Sequence, residues 1–428
     1  MGGEWGEKSL GDLLKFSNGK SSPDRADSLP VPVFGSNGII GRCEHENSPA
    51  KSLIIGRVGS YCGSVYYSNK PCWVTDNAIK ATAINGHVPK FLFYVLDHLN
   101  LNSWREGSGQ PLLNQSILKS ICVDVPPIEE QHRIAHTLST LDDKIELNRQ
   151  MNTTLESMAQ ALFKSWFVDF DPVIDNALAA GNDIPDALQA KAAKRKALGA
   201  KRKPLPDGLQ QQFPDRFVFT EEMGWVPEGW GAGPISNLAK LNPESWTAKK
   251  HPEYITYVDL ANTKDGRIND TTDYEFSQAP SRARRVLRAG DTIVGTVRPG
   301  NRSFAYIGDD NLTGSTGFAV MRPTEQYHRS FVYLSLTQDE TIRQLAHLAD
   351  GAAYPAIRPE VVASHVVTLP PPQILSAFDT LTFTMLSTIE QNEVSNGTLA
   401  SLRDTLLPKL LSGELRIPDA EKQLAEAL

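Results

Sequence analysis

The sequence contains itself twice, and no other feature limits its possible folds so strongly. A shift of 244 residues places Gly107 on Gly351, Pro111 on Pro355, Ser120 on Ser364 and Pro126-Pro127 on Pro370-Pro371. Without a gap, Ile145-Glu146 then falls on Ile389-Glu390, Asn148 on Asn392, Asn152 on Asn396, Thr154-Leu155 on Thr398-Leu399, Ser157 on Ser401 and Leu162 on Leu406. Roughly sixty residues align in this way, proline pairs and asparagines among them, so chance similarity is a poor explanation. The beginnings match at a slightly smaller offset: Trp5-Gly6 with Trp230-Gly231, Leu10 with Ile235, Leu13 with Leu238, Lys15 with Lys240. Between these ends only sparse anchors remain, such as Gly56 with Gly295, Val58 with Val297 and Tyr94 with Tyr333. The chain is therefore two copies of one unit: a variable globular part, a Pro-Pro step, and a better-preserved tail.

That tail reads as a long helix. After Pro126-Pro127, suited to a helix start, residues 128 to 170 contain neither proline nor glycine. Seam positions recur at steps of four and three: Ile134, Leu138, Leu141, Ile145, Asn148, Asn152, Leu155, Ala159, Leu162, Trp166. The second copy gives Phe378, Thr382, Met385, Ile389, Asn392, Asn396, Leu399, Arg403, Leu406, Leu410. This 3.5-residue period is that of a coiled-coil seam, and about forty helical residues span roughly 60 Å. Two ordinary amphipathic helices in separate cores would also show apolar periodicity. Both copies, however, put polar residues at the same two mid-seam positions. Antiparallel pairing about a pseudo-two-fold axis would let Asn148 and Asn152 hydrogen-bond Asn392 and Asn396 and so fix register, because a buried amide left unpaired costs ~1–3 kcal/mol. Gly397 weakens the second helix by about 1 kcal/mol, and Arg403 fits that seam poorly.

The variable parts read as short strands broken by turns: 31–34, 52–55, 64–67 and 78–82, with turns at 35–38 and 61–63, then a short helix over 91–101. The second unit repeats the order with strands at 254–259, 291–297 and 316–321 and a helix over 330–348. Each is an α+β domain rich in loops, where recognition residues usually sit. Between the copies, the basic stretch 188–203 predicts a helix, followed by an extended linker through Pro204, Pro206 and Pro214. Such a run is either a solvated helix face or a phosphate contact.

Charge excludes little. The net charge is −7, but charge is segregated, which matters more for a DNA binder than the total. Residues 129–175 are acid-rich. Arg282, Arg284, Arg285, Arg288, Arg298 and Arg302 face only Asp291 within their span, and residues 191–203 carry seven cations and no acid. A length of 428 residues suggests two or three domains. No apolar run approaches the ~18 residues of a membrane span, and the start shows no apolar signal core. Cys43, Cys62, Cys72 and Cys122 have no CxxC spacing and read as reduced cytosolic thiols rather than a disulfide pair or metal site. Phosphate-loop, HExxH and paired-CxxC motifs are missing, and Gly56-Arg57-Val58-Gly59-Ser60 lacks the phosphate-binding lysine. Asn242-Pro243-Glu244-Ser245 lacks the second proline and the aromatic with which a base methyltransferase holds a flipped base. No catalytic residue, cofactor or metal site is expected; Cys43-x-His45 is at most half a site.

Val125-Pro126-Pro127-Ile128-Glu129-Glu130-Gln131-His132-Arg133-Ile134 resembles the "P-P-x-x-E-Q-x-x-I" start of the conserved helix in specificity subunits of Type I restriction–modification systems. Residues 141–148, 163–170 (Phe-Lys-Ser-Trp-Phe-Val-Asp-Phe), 225–230 and 406–415 resemble further signatures of that family. Pro370-Pro371-Pro372-Gln373-Ile374 departs from them by lacking the Glu-Gln pair at the start of the second helix. The resemblance implies two tandem target-recognition domains, each followed by a long helix, with the helices paired antiparallel. The expected boundaries are 1–127 for the first domain, 128–172 for the central helix, 173–228 for the basic helix and linker, 229–371 for the second domain, 372–416 for the C-terminal helix and 417–428 for a tail.

It further implies a non-catalytic cytoplasmic protein that reads a bipartite site on double-stranded DNA, one half per domain, with two methyltransferase (modification) subunits and restriction subunits as partners. The alternative is a free-standing DNA-binding regulator. Candidate DNA contacts are Asn37, Arg57, Ser60, Tyr61, Gln110 and Asn114 in the first domain, and Arg284, Arg285, Arg298, Asn301, Arg302, Tyr354 and Arg358 in the second. Arginine suits guanine and Asn or Gln suits adenine in the major groove, although more of the arginines are expected on phosphate.

Overall fold

The computed structural model describes residues 5–105, 112–201, 205–351 and 355–427. The chain divides into two compact units that cut across the sequence boundaries: residues 1–148 with 394–428, and residues 149–393. Each long helix, Ile128–Phe163 and Pro372–Leu411, therefore gives one part to each unit.

In the first unit an antiparallel sheet has the order Leu14–Asn18, Ala78–Ala83, Ser52–Gly56, Val65–Ser68. Its central strand, Ser-Leu-Ile-Ile-Gly, is buried throughout because both faces are covered. Leu53 and Ile55 face the main core, whereas Ile54 packs with Phe34, Val74 and Ala78 beneath a smaller sheet. That smaller sheet joins Gly38–Cys43, Val31–Gly35 and Trp73–Val74. The ribbon of Gly6–Ser9 against Cys122–Val125 hands the chain to the first long helix. There Ile134, Leu138, Leu141 and Ile145 share one core with Leu399, Leu406, Leu407 and Leu410 of the second long helix. Arg403, awkward on an apolar seam, donates to the Asp142 carboxylate at 3.0 Å, which also accepts the Tyr94 hydroxyl at 2.6 Å. Residues 417–428, expected to be a tail, are helical over Ile417–Ala427, with Ile417 and Ala420 buried in the same core. The helix is set by a turn at Gly413, φ +73°, against the Trp5 ring.

The second unit repeats the sheet order with Ala239–Leu241, Phe318–Pro323, Thr292–Gly295, Phe304–Tyr306, and the closing ribbon with Gly231–Pro234 against Val366–Leu369. Its second sheet is larger: Thr272–Glu275, Tyr254–Val258, Leu312–Ser315, Ala283–Val286. Phe163, Phe167, Phe331 and Phe378 interlock with contacting ring centroids 4.8–6.1 Å apart, joining both long helices to the sheet domain. Arg329 and Ser330 bind the Asp379 carboxylate of the second long helix at 3.0 and 2.5 Å. The first unit performs this docking with Gln131 of the Glu-Gln pair, whose amide accepts from Val88 N–H and donates to the Pro126 carbonyl. Asp379 thus takes over where the second copy lacks that pair.

Four further expectations are corrected. The helix expected over 330–348 is two, Arg329–Leu336 and Asp339–His347, broken where Gln338 turns extended and the Thr337 hydroxyl bonds the Tyr333 carbonyl. The helix expected over 91–101 is Pro89–His98, followed by a 3-10 turn at Leu101–Trp104. The first long helix ends in a π-turn at Lys164–Val168, stopped by Phe170 at φ +58°. The basic helix is present at Asp186–Leu198, preceded by a further helix at Asp171–Ala180, but the described residues after it are not extended: Asp207–Gln210 is helical and Phe217–Thr220 pairs with Gly224–Pro227 in a hairpin. Phe213 anchors this segment edge-on to Trp166 at 5.0 Å, and burial of that ring outweighs the local preference of the prolines.

Candidate nucleic-acid interface

In the first unit the candidate loops converge at the end of the central strand. The Asn77 carbonyl accepts both Arg57 N–H at 3.1 Å and the Ser36 hydroxyl at 2.6 Å, while Leu113 N–H donates to the Arg57 carbonyl at 3.2 Å. A Cβ on Gly56 would lie 2.3 Å from the Tyr61 carbonyl oxygen and 2.7 Å from that of Ser36, so only glycine lets these loops close. Asn37 (at the tip of its hairpin), Ser60 and Tyr61 are exposed. Arg57 is half-buried with no partner for its Nε. Asn114 caps helix Gln115–Ser120, its Oδ1 accepting Ile117 N–H at 2.9 Å, so that oxygen is engaged within the fold. Gln110 lies outside the described residues.

The second unit makes the same closure with other side chains. Ile357 N–H donates to the Thr296 carbonyl at 2.9 Å, one repeat on from the bond between Leu113 and Arg57, and Arg298 N–H donates to the Pro355 carbonyl at 2.7 Å. Arg298 and Arg302 both adopt left-handed backbone, φ +49° and +62°, on either side of the turn Pro299–Asn301. That conformation is uncommon for arginine, and such outliers gather at functional loops. Arg298, Asn301 and Arg358 are exposed. Arg302 is held by Asp265 and by Asp339 at 2.7 Å and lies over the Phe304 ring, which suits it to positioning the turn. Arg284 and Arg285 belong to the other sheet. The first stacks over Phe276, 4.8 Å from its centroid; the second donates to the Ser245 hydroxyl, and burial lowers its pKa. Tyr354 lies outside the described residues.

The basic helix has largely internal partners. Lys191 meets Asp169 at 3.1 Å, and Arg195 binds Asp175 with Asp171 at 3.6 Å, leaving Lys194 and Lys196 on the exposed face. Cys43 Sγ donates to the His45 carbonyl, and the cysteines are free. Among the described residues no cluster could hold a metal, and no helix is long and apolar enough to cross a membrane.

The seam asparagines meet in crossed pairs. In the first unit Asn148 Nδ2 donates to Asn396 Oδ1 at 2.9 Å. In the second, Asn392 Nδ2 donates to Asn152 Oδ1 at 2.7 Å, and Asn152 Nδ2 donates to the Glu393 carboxylate at 2.7 Å. Residues at unlike repeat positions pair, as antiparallel helices require, so Asn148 and Asn392 are not partners. Asn396 Nδ2 is buried without an acceptor. Among the ionisable groups on or beside these helices that depart from their usual range are Glu156 and His87. Burial pushes the Glu156 carboxyl up, partly offset by hydrogen bonds from Gln160 and Tyr333. Burial also pulls the His87 imidazole down beside Gln131.

The Type I restriction modification DNA specificity domain matches residues 2–157. The chain is 27% identical over 364 residues to the Type I restriction enzyme HindI specificity subunit of Haemophilus influenzae, covering 77% of this chain and 78% of that one. It is 22% identical to the MjaIX specificity subunit of Methanocaldococcus jannaschii, covering 78% and 71%. In fold it is similar to the crystal structure of the Type I restriction–modification S subunit from M. genitalium, with TM-score 0.56 and 15% identity over 95% of this chain and 96% of that one.

Proposed function

Because the chain belongs to the family of Type I restriction–modification specificity subunits, we propose that its two sets of convergent loops each read one half of a bipartite target on double-stranded DNA. The protein is a sequence-specific DNA-recognition subunit without catalytic activity of its own, and it acts with partner subunits; this replaces the alternative of a free-standing regulator. The observation that carries the bipartite reading is the repeated closure of Leu113 on Arg57 and Ile357 on Thr296, which builds one loop scaffold twice and decorates it differently. Different exposed side chains on the same frame favour different half-sites. Asn37, Ser60 and Tyr61 form the first reading surface, with Arg57 and Asn114 behind them. Arg298, Asn301 and Arg358 form the second. Arg302 supports the second turn, and Arg284 and Arg285 offer cations to the phosphate backbone, whose contacts position without specifying. Gln110 and Tyr354 stay candidates on the strength of their chemistry. Two modification subunits bind the protein, one for each half of the duplication, and restriction subunits join for cleavage in the cytoplasm.

Sequencing the methylome of cells that express this chain with its modification partner tests the reading. It expects one motif made of two short half-sites with a spacer of fixed length. A continuous motif, or a spacer that varies freely, would contradict it.

A further inference from the structure

Just beyond each set of loops the two units expose a large apolar side chain at the same position of the repeat. The shift that puts Gly107 on Gly351 puts Trp104 on Leu348. Local packing supports the equivalence. A Cβ on Gly63, in the first loop, would lie 2.4 Å from the Asn102 amide, and one on Gly300, in the second, would lie 3.6 Å from the Ala346 Cβ. Asn102 and Ala346 are repeat mates, each two residues before the apolar side chain. The surrounding backbone has diverged: Trp104 ends a 3-10 turn, whereas Leu348 caps the α-helix Asp339–His347. Yet Trp104 is 43% and Leu348 57% exposed, and neither belongs to the buried cores of its unit. A lone exposed apolar residue needs no explanation. Two at one repeat position, beside turns assigned to DNA and each next to an exposed basic residue, Arg105 and His347, do.

We infer that Trp104 and Leu348 are wedges that enter the base stack at the edge of each half-site. Resting on the reading that these loops face DNA, the wedge adds a second source of specificity. An indole or a leucine side chain pushed between base pairs unstacks one step and bends the duplex toward more of the protein surface. The cost depends on how easily that step deforms, so sequence is read where no base edge is touched. Arg105 holds the displaced phosphate by its charge, and His347 by donating an imidazole N–H.

The test uses the full chain with its modification partner and duplexes carrying the mapped target, with 2-aminopurine scanned through each half-site. Affinity is read by anisotropy on the same samples. The wild type raises fluorescence at one step in each half-site. Trp104→Ala abolishes the rise in one half and Leu348→Ala in the other, each weakening binding about tenfold, the scale of one lost base stack. Trp104→Phe and Leu348→Met keep the signal. A one-nucleotide bulge at the affected step, which opens the stack beforehand, restores tight binding by the alanine variants. Specific binding with a fluorescence rise indifferent to both alanines, or confined to the modified base, overturns the wedge and leaves the loop reading standing. Failure of the wild type to distinguish its target from random duplex overturns both.

Discussion

Single residues decide register in this protein, and the crossed asparagine pairs are where that can be measured. Asn148→Leu leaves Asn396 without its partner and is expected to cost ~1–3 kcal/mol, whereas Asn148→Leu with Asn396→Leu recovers most of the loss. A cost for the pair equal to the sum of the Asn148→Leu and Asn396→Leu costs in urea denaturation would contradict the pairing. Glu156 gives a pH test. Its folded-state pKa is raised, so folding favours the protonated form: the stabilisation is complete below the ordinary glutamate range and is lost as pH rises through the raised value. Glu156→Gln, which cannot ionise, should therefore raise the denaturation midpoint relative to wild type at about pH 8 and leave it nearly level at about pH 4. A difference independent of pH would refute this origin. The sequence discloses the asparagines because they break an apolar period at matched places. It does not disclose the Asp265 and Asp339 carboxylates that occupy Arg302, each 37 residues away. Basic residues can be counted from composition, but those already engaged depend on tertiary neighbours.

At the level of elements, the long helices announce themselves through the 3.5-residue seam, since burial along one stripe is what a sequence records most directly. Their ends are recorded less well. The second helix starts at Pro372 although the Glu-Gln pair is missing, because Asp379 supplies the docking bonds from a position no local motif marks. Gly397 sits in this helix with no atom within 4 Å of a Cβ placed on it. Gly397→Ala should therefore stabilise by up to ~1 kcal/mol through helix propensity and reduced unfolded-state entropy. A lowered midpoint in thermal or urea denaturation would show a contact that the helix backbone does not reveal. The fold of residues 205–227 was illegible for the opposite reason: Pro206 and Pro214 are loud local signals, whereas the burial of Phe213 against Trp166 is a long-range event.

For the whole molecule, duplication predicts separable specificity. Arg298→Ala or Asn301→Ala should relax recognition at one half-site only. Loss of a base contact costs ~1–3 kcal/mol at one position, whereas loss of a phosphate contact weakens every sequence alike and lowers the salt slope by about 1. Selection of bound duplexes from a randomised pool separates these outcomes, and relaxation in both half-sites at once would contradict the division of labour. The repeat was legible end to end, but how it partitions into compact units was not: residues 394–428 complete the core begun by residues 1–148, while residues 149–393 form a contiguous unit. Synthesis on the ribosome runs against that arrangement. The contiguous unit has all its residues soon after translation passes 393, whereas the earlier-made unit waits for Leu399, Leu406 and Leu410 to cover Leu138 and Leu141. At about 5–20 residues per second the unfinished face stays open for roughly 10–50 s. Nascent chains of this protein should lean on chaperones through that interval, and a late frameshift should damage the part of the protein made first.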